Sequence, residues 1–198
     1  MQEINLINKK INALHLSNTS EHFSPGFLIN LARKVLGSIN LDPFSNARAN
    51  EYIQAEKYFG LDNKKDGFKE PWGGREYPTN LWINPPGSKI KGKSQQKMAW
   101  QYLMEQYEIG NVKSAIFLSF NLNLMQSSQI KQEGKLPMTF AFCVPKQRIA
   151  YLKSDLSSSS NPTHPSALFY INPKNDVSKI QLFKEVFSSI GHVIIPSN

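Results

Sequence analysis

The sequence predicts an α/β protein built on an open, mostly parallel sheet with an antiparallel edge. Short apolar strands alternate with amphipathic helical stretches through the first half, and strands crowd together in the second. Two early strands also break off abruptly into polar loops, at LDPFSNA and at LWINPPG.

The elements follow in order. Residues 1–20 are polar with weak periodicity and read as an N-terminal arm, leaving 21–198 as one domain. At 198 residues and 40% hydrophobic content the chain suits a single core. SPGFLINLARKVLG predicts the first helix. Ser24 is its cap, Pro25 fits the first helical position, and Gly37 stops it, with Phe27, Leu28, Leu31, Val35 and Leu36 as the apolar face. INL is then a short strand ending at DPF. Residues 45–78, rich in Asn, Lys, Gly and aromatic residues, read as surface structure with a short helix around ANEYIQAEKYF.

LWI is a second short strand leading straight into NPP. From Ser94 to about Glu108 the pattern is helical on Met98, Tyr102, Leu103 and Tyr107, and Gly110 closes it. SAIFLSF reads as a buried parallel strand, and PMTFAFCVP, PSALFYIN and HVIIP supply three more. A last helix, VSKIQLFKEVFSSIG, carries Ile180, Phe183, Val186, Phe187 and Ile190. SSSSNP, 157–162, reads as a flexible loop, and there is no internal repeat.

Composition narrows the function classes. No stretch reaches the roughly 18 apolar residues of a membrane span, and the N-terminus lacks a signal-peptide core, so a soluble, cytoplasmic protein is expected. The single cysteine, Cys143 in FAFCVP, excludes an intrachain disulfide, leaves no thiolate cluster for zinc, and reads as a small buried hydrophobe; no metal is expected. Lys plus Arg total 23 against 15 acids, a net +8 that favours a polyanionic partner. From Pro78 to Met104 stand Lys89, Lys91, Lys93 and Lys97 with no carboxylate. Residues 131–153 carry Lys131, Lys135, Lys146, Arg148 and Lys153 against Glu133. Each block could be a solvated loop, but two of them flanking one candidate site favour nucleic acid, with Lys89, Lys91, Lys93, Lys146 and Arg148 as phosphate contacts.

Two site patterns compete for the segment NPPGSKIKGKS. Gly87, Gly92, Lys93 and Ser94 satisfy G-x-x-x-x-G-K-[ST], the phosphate-cradling P-loop, between a strand and a helix. A nucleoside triphosphatase also needs an acid at a neighbouring strand end to hold magnesium, and SAIFLSFNLN ends in Ser and Asn. Two prolines before the glycine would also stiffen a backbone that must curl. The rival pattern is Asn84-Pro85-Pro86. An exocyclic ring amine is a poor nucleophile, because its lone pair is delocalised. The side-chain oxygen of Asn84 and the main-chain oxygen of Pro85 can accept its two hydrogens, held rigidly by the prolines. An ordinary Asn-Pro turn would explain NPP by itself.

Upstream features have uses if the methyl donor is S-adenosylmethionine. The helix headed by Ser24 and Pro25 offers amides to the donor's carboxylate. Asp42, at a strand's carboxyl end, sits where open α/β sheets bind ligands, and its charge complements the amino group and sulfonium. Asp66 could accept from the donor's adenine amine while Phe68 or Phe44 packs on the ring. Taken singly, these are also ordinary turn, surface and core residues.

The order of these motifs resembles the phage-type Dam family of DNA adenine N6-methyltransferases. Ser24-Pro25, Leu41-Asp42-Pro43-Phe44-Ser45, Asp66-Gly67-Phe68 with Trp72, and Leu81-Trp82-Ile83-Asn84-Pro85-Pro86 carry the resemblance, with the later FCVPKQRIAYL and PSALFYI. It spans about His22 to Ile195. The resemblance implies a Rossmann-like S-adenosylmethionine-dependent methyltransferase fold, DNA as partner, a flipped adenine as acceptor, and Arg148 on a strand facing the DNA. Two departures stand out. Gly87 occupies the place where most members have an aromatic residue to stack on the base, with Tyr151, Phe120 and Phe140 as candidate replacements. The loop after Asp42 has Ser45-Asn46-Ala47 in place of glycines. Methylation of cytosine N4, RNA or glutamine, a non-catalytic nucleic-acid-binding relative, and a P-loop nucleoside triphosphatase are the alternatives.

Overall fold

The computed structural model describes residues 23–126, 135–153, 157–158, 164–174 and 176–197; the N-terminal arm, Lys131 and most of SSSSNP lie outside them. The described elements are α1 (Gly26–Leu36), β1 (Leu41–Asp42), α2 (Ala47–Ile53), β2 (Lys57–Tyr58), β3 (Thr79–Ile83), β4 (Lys89–Ile90) and β5 (Lys93–Ser94). They continue with α3 (Gln95–Glu108), β6 (Val112–Ser119), β7 (Ala141–Pro145), β8 (Ala167–Ile171), α4 (Ser178–Phe187) and β9 (Gly191–Ile194).

Seven strands form one mixed sheet in the order β2-β1-β3-β6-β8-β7-β9, and β4-β5 is a separate antiparallel pair. The chain is α/β, as the alternation of strands and helices predicts. β1, β2, β3, β6 and β7 run one way, and β8 and β9 run the other. The antiparallel part is therefore more than an edge, because β8 is wedged between β6 and β7. Both neighbours pair with it, Phe117 and Phe142 each opposite Phe169. From β1 the chain crosses through α2 to β2 on one side; the next sheet strand, β3, lies on the other side of β1. The boundary between β1 and β3 is a topological switch point, where open sheets bind ligands beyond their carboxyl ends.

Period-two alternation divides the core into two clusters. Trp82, Ile116, Leu118, Leu168, Tyr170 and Cys143 pack with α1 and α4, and Leu81, Ile83, Ala115, Phe117, Phe169 and Ile171 pack with α3. α1 buries Leu28, Ile29, Ala32, Val35 and Leu36, while Phe27, expected on that face, is 51% exposed. Its start is one residue later than Ser24 and Pro25 suggest. Pro25, extended, is the residue before the first turn and accepts from the Leu28 amide at 3.0 Å. Gly37, at φ +82°, ends the helix as expected, its amide donating to the Arg33 carbonyl.

α3 is rotated from its expected face. Trp100 and Met104 are buried with Leu103 and Tyr107, and Met98 and Tyr102 are only half-buried. Trp100 decides this, because its ring packs edge-on against Phe117, Phe140 and Phe169. The segment 45–78 is also less superficial than its composition suggests. Trp72 is fully buried, its indole donating to the Gly67 carbonyl at 2.7 Å. Cys143 is fully buried and its thiol is pushed up to about 12 by desolvation, which makes it a packing residue. Among the described residues, no helix is long and apolar enough to cross a membrane.

Candidate functional site

Asp42 is the last residue of β1 and Asn84 follows the last residue of β3, on adjacent parallel strands in which Leu41 is opposite Leu81. Leu41 packs into the α3-side cluster, so alternation turns Asp42 toward the α1 side. Trp82 belongs to the α1-side cluster, and the same period carries Asn84 to that side. There the Asn84 Nδ2 donates to the Ser24 hydroxyl at 3.2 Å. Ser24 is buried and does not cap α1 through its side chain; its position just before the helix serves Asn84 instead. This bond orients the amide, with its nitrogen toward Ser24 and its oxygen on the opposite side. Pro85 is buried and Pro86 half-buried, which fixes the loop behind them.

Asp42 is almost wholly removed from solvent. Burial pushes its carboxyl up to about 7, against the opposing pull of the Phe44 amide, which donates to Oδ1 at 3.1 Å, and of the nearby Ser45 side chain. Among the described residues, Asp42 Oδ2 and Ser45 Oγ have no well-formed hydrogen bond. A buried carboxylate oxygen at a strand's carboxyl end, with at most the neighbouring Ser45 hydroxyl for a partner, is costly unless a ligand satisfies it. A cationic group would suit it.

The loop after β1 is packed by the segment expected to help it. Phe44 lies 4.8 Å from Phe68 and 5.8 Å from Trp72, centroid to centroid. A side chain at Gly67 would collide with the Pro43 carbonyl and the Phe44 ring, so only glycine lets Asp66-Gly67-Phe68 close over Pro43-Phe44. Asp66 itself is exposed. Its Oδ1 accepts from the Phe68 amide at 3.0 Å, and Lys69 pairs with Oδ2 at 3.0 Å. Asp66 thus stands at the rim, engaged locally, while Phe44 and Phe68 make the half-buried wall.

The glycine-rich segment after NPP is a β-hairpin. Lys89 and Ile90 pair with Ser94 and Lys93, and the two turn residues, Lys91 and Gly92, both have positive φ, +48° and +78°. That is the mirror-image turn favoured in two-residue hairpins. A P-loop needs these amides to converge on a phosphate; here the backbone is paired across the hairpin. The hairpin base is closed at Ser88, whose carbonyl accepts from the Gln95 amide at 3.3 Å and whose hydroxyl accepts from Gln95 Nε2 at 2.6 Å. Lys89, Lys91 and Lys93 are all exposed. Gly92→Val places a branched residue at positive φ and is expected to loosen the hairpin by about 1–2 kcal/mol. Trypsin cleavage after Lys91 and Lys93, faster than in the parent at unchanged thermal stability, would register it.

Lys146 and Arg148 follow β7, whose carboxyl end lies on the same sheet edge as those of β1, β3 and β6. Both are exposed. Arg148 is past the strand rather than on it, because Pro145 ends β7 and the chain bends at 146–147. The chain then returns along α1's entrance, where Leu152 and Phe23 exchange backbone bonds of 2.8 and 2.9 Å.

Several neighbours of the site escaped sequence reasoning. Gln95 and Gln96 are buried in the first turn of α3, and Ser119 Oγ lies 3.0 Å from Gln96 Oε1. Their polarity in a helix start gave no sign of burial. Phe120, in contrast, is one of the three rings the sequence offers in place of the aromatic residue missing at 87; it follows Ser119 at the end of β6, and its ring occupies the space beside Gly87. Among the described residues, no group of three or more His, Cys, Asp or Glu side chains is arranged to hold a metal ion. Comparison with protein-family models, with curated proteins and with solved structures yields no match in any of the three.

Proposed function

We propose that this chain is a DNA adenine N6-methyltransferase that uses S-adenosylmethionine, with a Rossmann-like sheet, as its resemblance to the phage-type Dam family implies. One observation carries the reading: Asp42 and the Ser24-bound Asn84 lie on one side of the sheet at its switch point. When bound, the donor supplies a methyl group on a sulfonium.

The residues of the chain divide the remaining work. Asp42, with Ser45, provides negative charge and acceptors for the donor's cationic end. The start of α1 presents amides to a carboxylate, and Gly26 leaves open space there. Phe44 and Phe68 offer an apolar wall for an adenine ring. Asn84 Oδ1 and the Pro85 carbonyl accept the two hydrogens of the acceptor amine and draw its nitrogen toward tetrahedral geometry. The lysine-tipped hairpin beginning two residues after Gly87, with Lys146 and Arg148, grips phosphates.

Incubation with unmethylated bacterial or phage DNA and labelled S-adenosylmethionine, followed by nucleoside analysis, tests the proposal. Label in N6-methyladenine is expected. Label in N4-methylcytosine would reassign the acceptor, and no label in any nucleic acid or protein would overturn the activity. Replacing Lys89, Lys91 and Lys93 together by alanine should flatten the salt dependence of DNA binding by about 2–3 in log–log slope. Fluorescence anisotropy across a salt series measures it.

A further inference from the structure

We infer that Phe120 supplies the base-stacking ring that residue 87 lacks, so that Gly87 is a requirement of the acceptor pocket rather than a defect in it. The inference rests on the methyl-transfer reading above and names the part of the site that takes the base.

The geometry is specific. A Cβ built on Gly87 would lie 2.5 Å from Phe120 Cζ, 3.1 Å from Cε2 and 3.4 Å from Cε1. The far edge of the Phe120 ring therefore sits where any side chain at 87 would begin. β3 and β6 are parallel neighbours with Ile83 opposite Phe117, so the end of β6 runs beside the NPP loop. Ile116 and Leu118 belong to the α1-side cluster, and Phe120, two residues on, packs against it. It is thus on the side where Asn84 meets Ser24. Its ring is half-buried, and His164 packs against it edge-on at 5.8 Å and 83°. In an edge-to-face pair of this kind His164 covers one face of the Phe120 ring at most.

The other two candidate rings are committed elsewhere. Tyr151 is only 8% exposed, with its hydroxyl 3.1 Å from the Ser166 hydroxyl. Phe140 packs against Trp100 and Tyr107 in the α3-side cluster, across the sheet from Asn84. Phe120 is the ring that lies against residue 87.

A side-chain exchange tests this. Phe120→Leu keeps apolar bulk and removes the flat face; Phe120→Ala also vacates the space before Gly87. Each is expected to lower kcat/KM for unmethylated phage DNA about 10–100-fold while donor affinity, read by calorimetry with S-adenosylmethionine, is unchanged. Gly87→Tyr alone should be at least as impaired, because two rings contend for one volume. Gly87→Tyr combined with Phe120→Ala should recover most of the loss, which simple structural damage would not do. A parent that methylates DNA while Phe120→Leu matches it, or a double variant no better than Phe120→Ala, overturns the inference alone. A parent that transfers no methyl group to DNA overturns the methyl-transfer reading and this inference with it.

Discussion

Asn84→Ala is expected to reduce methyl transfer at least about 100-fold, mainly in kcat, with donor affinity and thermal stability little changed. The loss follows from the job assigned to the amide. Its oxygen accepts a hydrogen more strongly as the amine nitrogen gives up conjugation with the ring, so its contribution is concentrated in the transition state. Asn84→Asp retains an acceptor but removes the Nδ2 that donates to Ser24, and is expected to fall between the parent and alanine. Ser24→Ala removes one acceptor that holds the Asn84 nitrogen and should reproduce part of the defect. Single-turnover rates on DNA, with donor affinity by calorimetry, separate the chemical step from binding. If Asn84→Ala transfers at the parent's rate, the amide has no part in the chemistry.

Asp42→Asn is expected to move stability and function in opposite directions. Burial holds the Asp42 carboxyl at about 7, above its ordinary value near 3.8. An acid raised in the folded state favours folding by its protonated form. That contribution is full below the unfolded value and is lost as pH rises through about 7. Above pH 7 the folded protein carries a desolvated charge that costs up to ~4 kcal/mol. Asparagine avoids that charge at the expense of an amide donor to satisfy. A net gain of about 1–3 kcal/mol at pH 8 is expected, shrinking toward zero near pH 4. Donor affinity should meanwhile fall at least about 10-fold, since the cationic end loses its counter-charge. In the parent, donor affinity should rise with pH through about 7 and binding should release a proton below that point. Thermal melts at pH 5 and pH 8, with calorimetry in buffers of different ionisation enthalpy, read both effects. A variant less stable than the parent at pH 8, binding the donor equally well, would sink the assignment.

The parts of the fold visible in the sequence are those fixed locally. α4 shows a helical period with Phe183 and Phe187 buried, and α1 ends at a glycine with positive φ. β3 breaks at Asn84-Pro85-Pro86 because proline cannot continue the ladder. What escaped was decided at a distance. The rotation of α3 follows from Trp100 meeting Phe117 and Phe169, residues of two other strands, and three buried glutamines blur its apolar stripe. The reversal of β8 leaves no mark, because a strand buried on both faces reads the same in either direction. The β4-β5 hairpin had a local signal in Lys91-Gly92, obscured by alternating lysines that also fit a solvated loop. At the site, Asp42 and Asn84 are legible as strand ends. The Ser24 to Asn84 bond joins residues 60 apart, and no spacing rule discloses it.

The wedged strand β8 also governs how the chain can be assembled. β1, β2, β3 and β6 are complete by Ser119, whereas the strand that covers the open flank of β6 begins at Ala167. During synthesis β6 is therefore an apolar edge, Ala115 to Ser119 without its later partner, while about fifty further residues emerge. β7 is made first yet cannot close that flank in the native arrangement, since it reaches the sheet only through β8. The half of the molecule that holds Asp42 and Asn84 can organise early, and its protection from intermolecular strand pairing arrives only with β8.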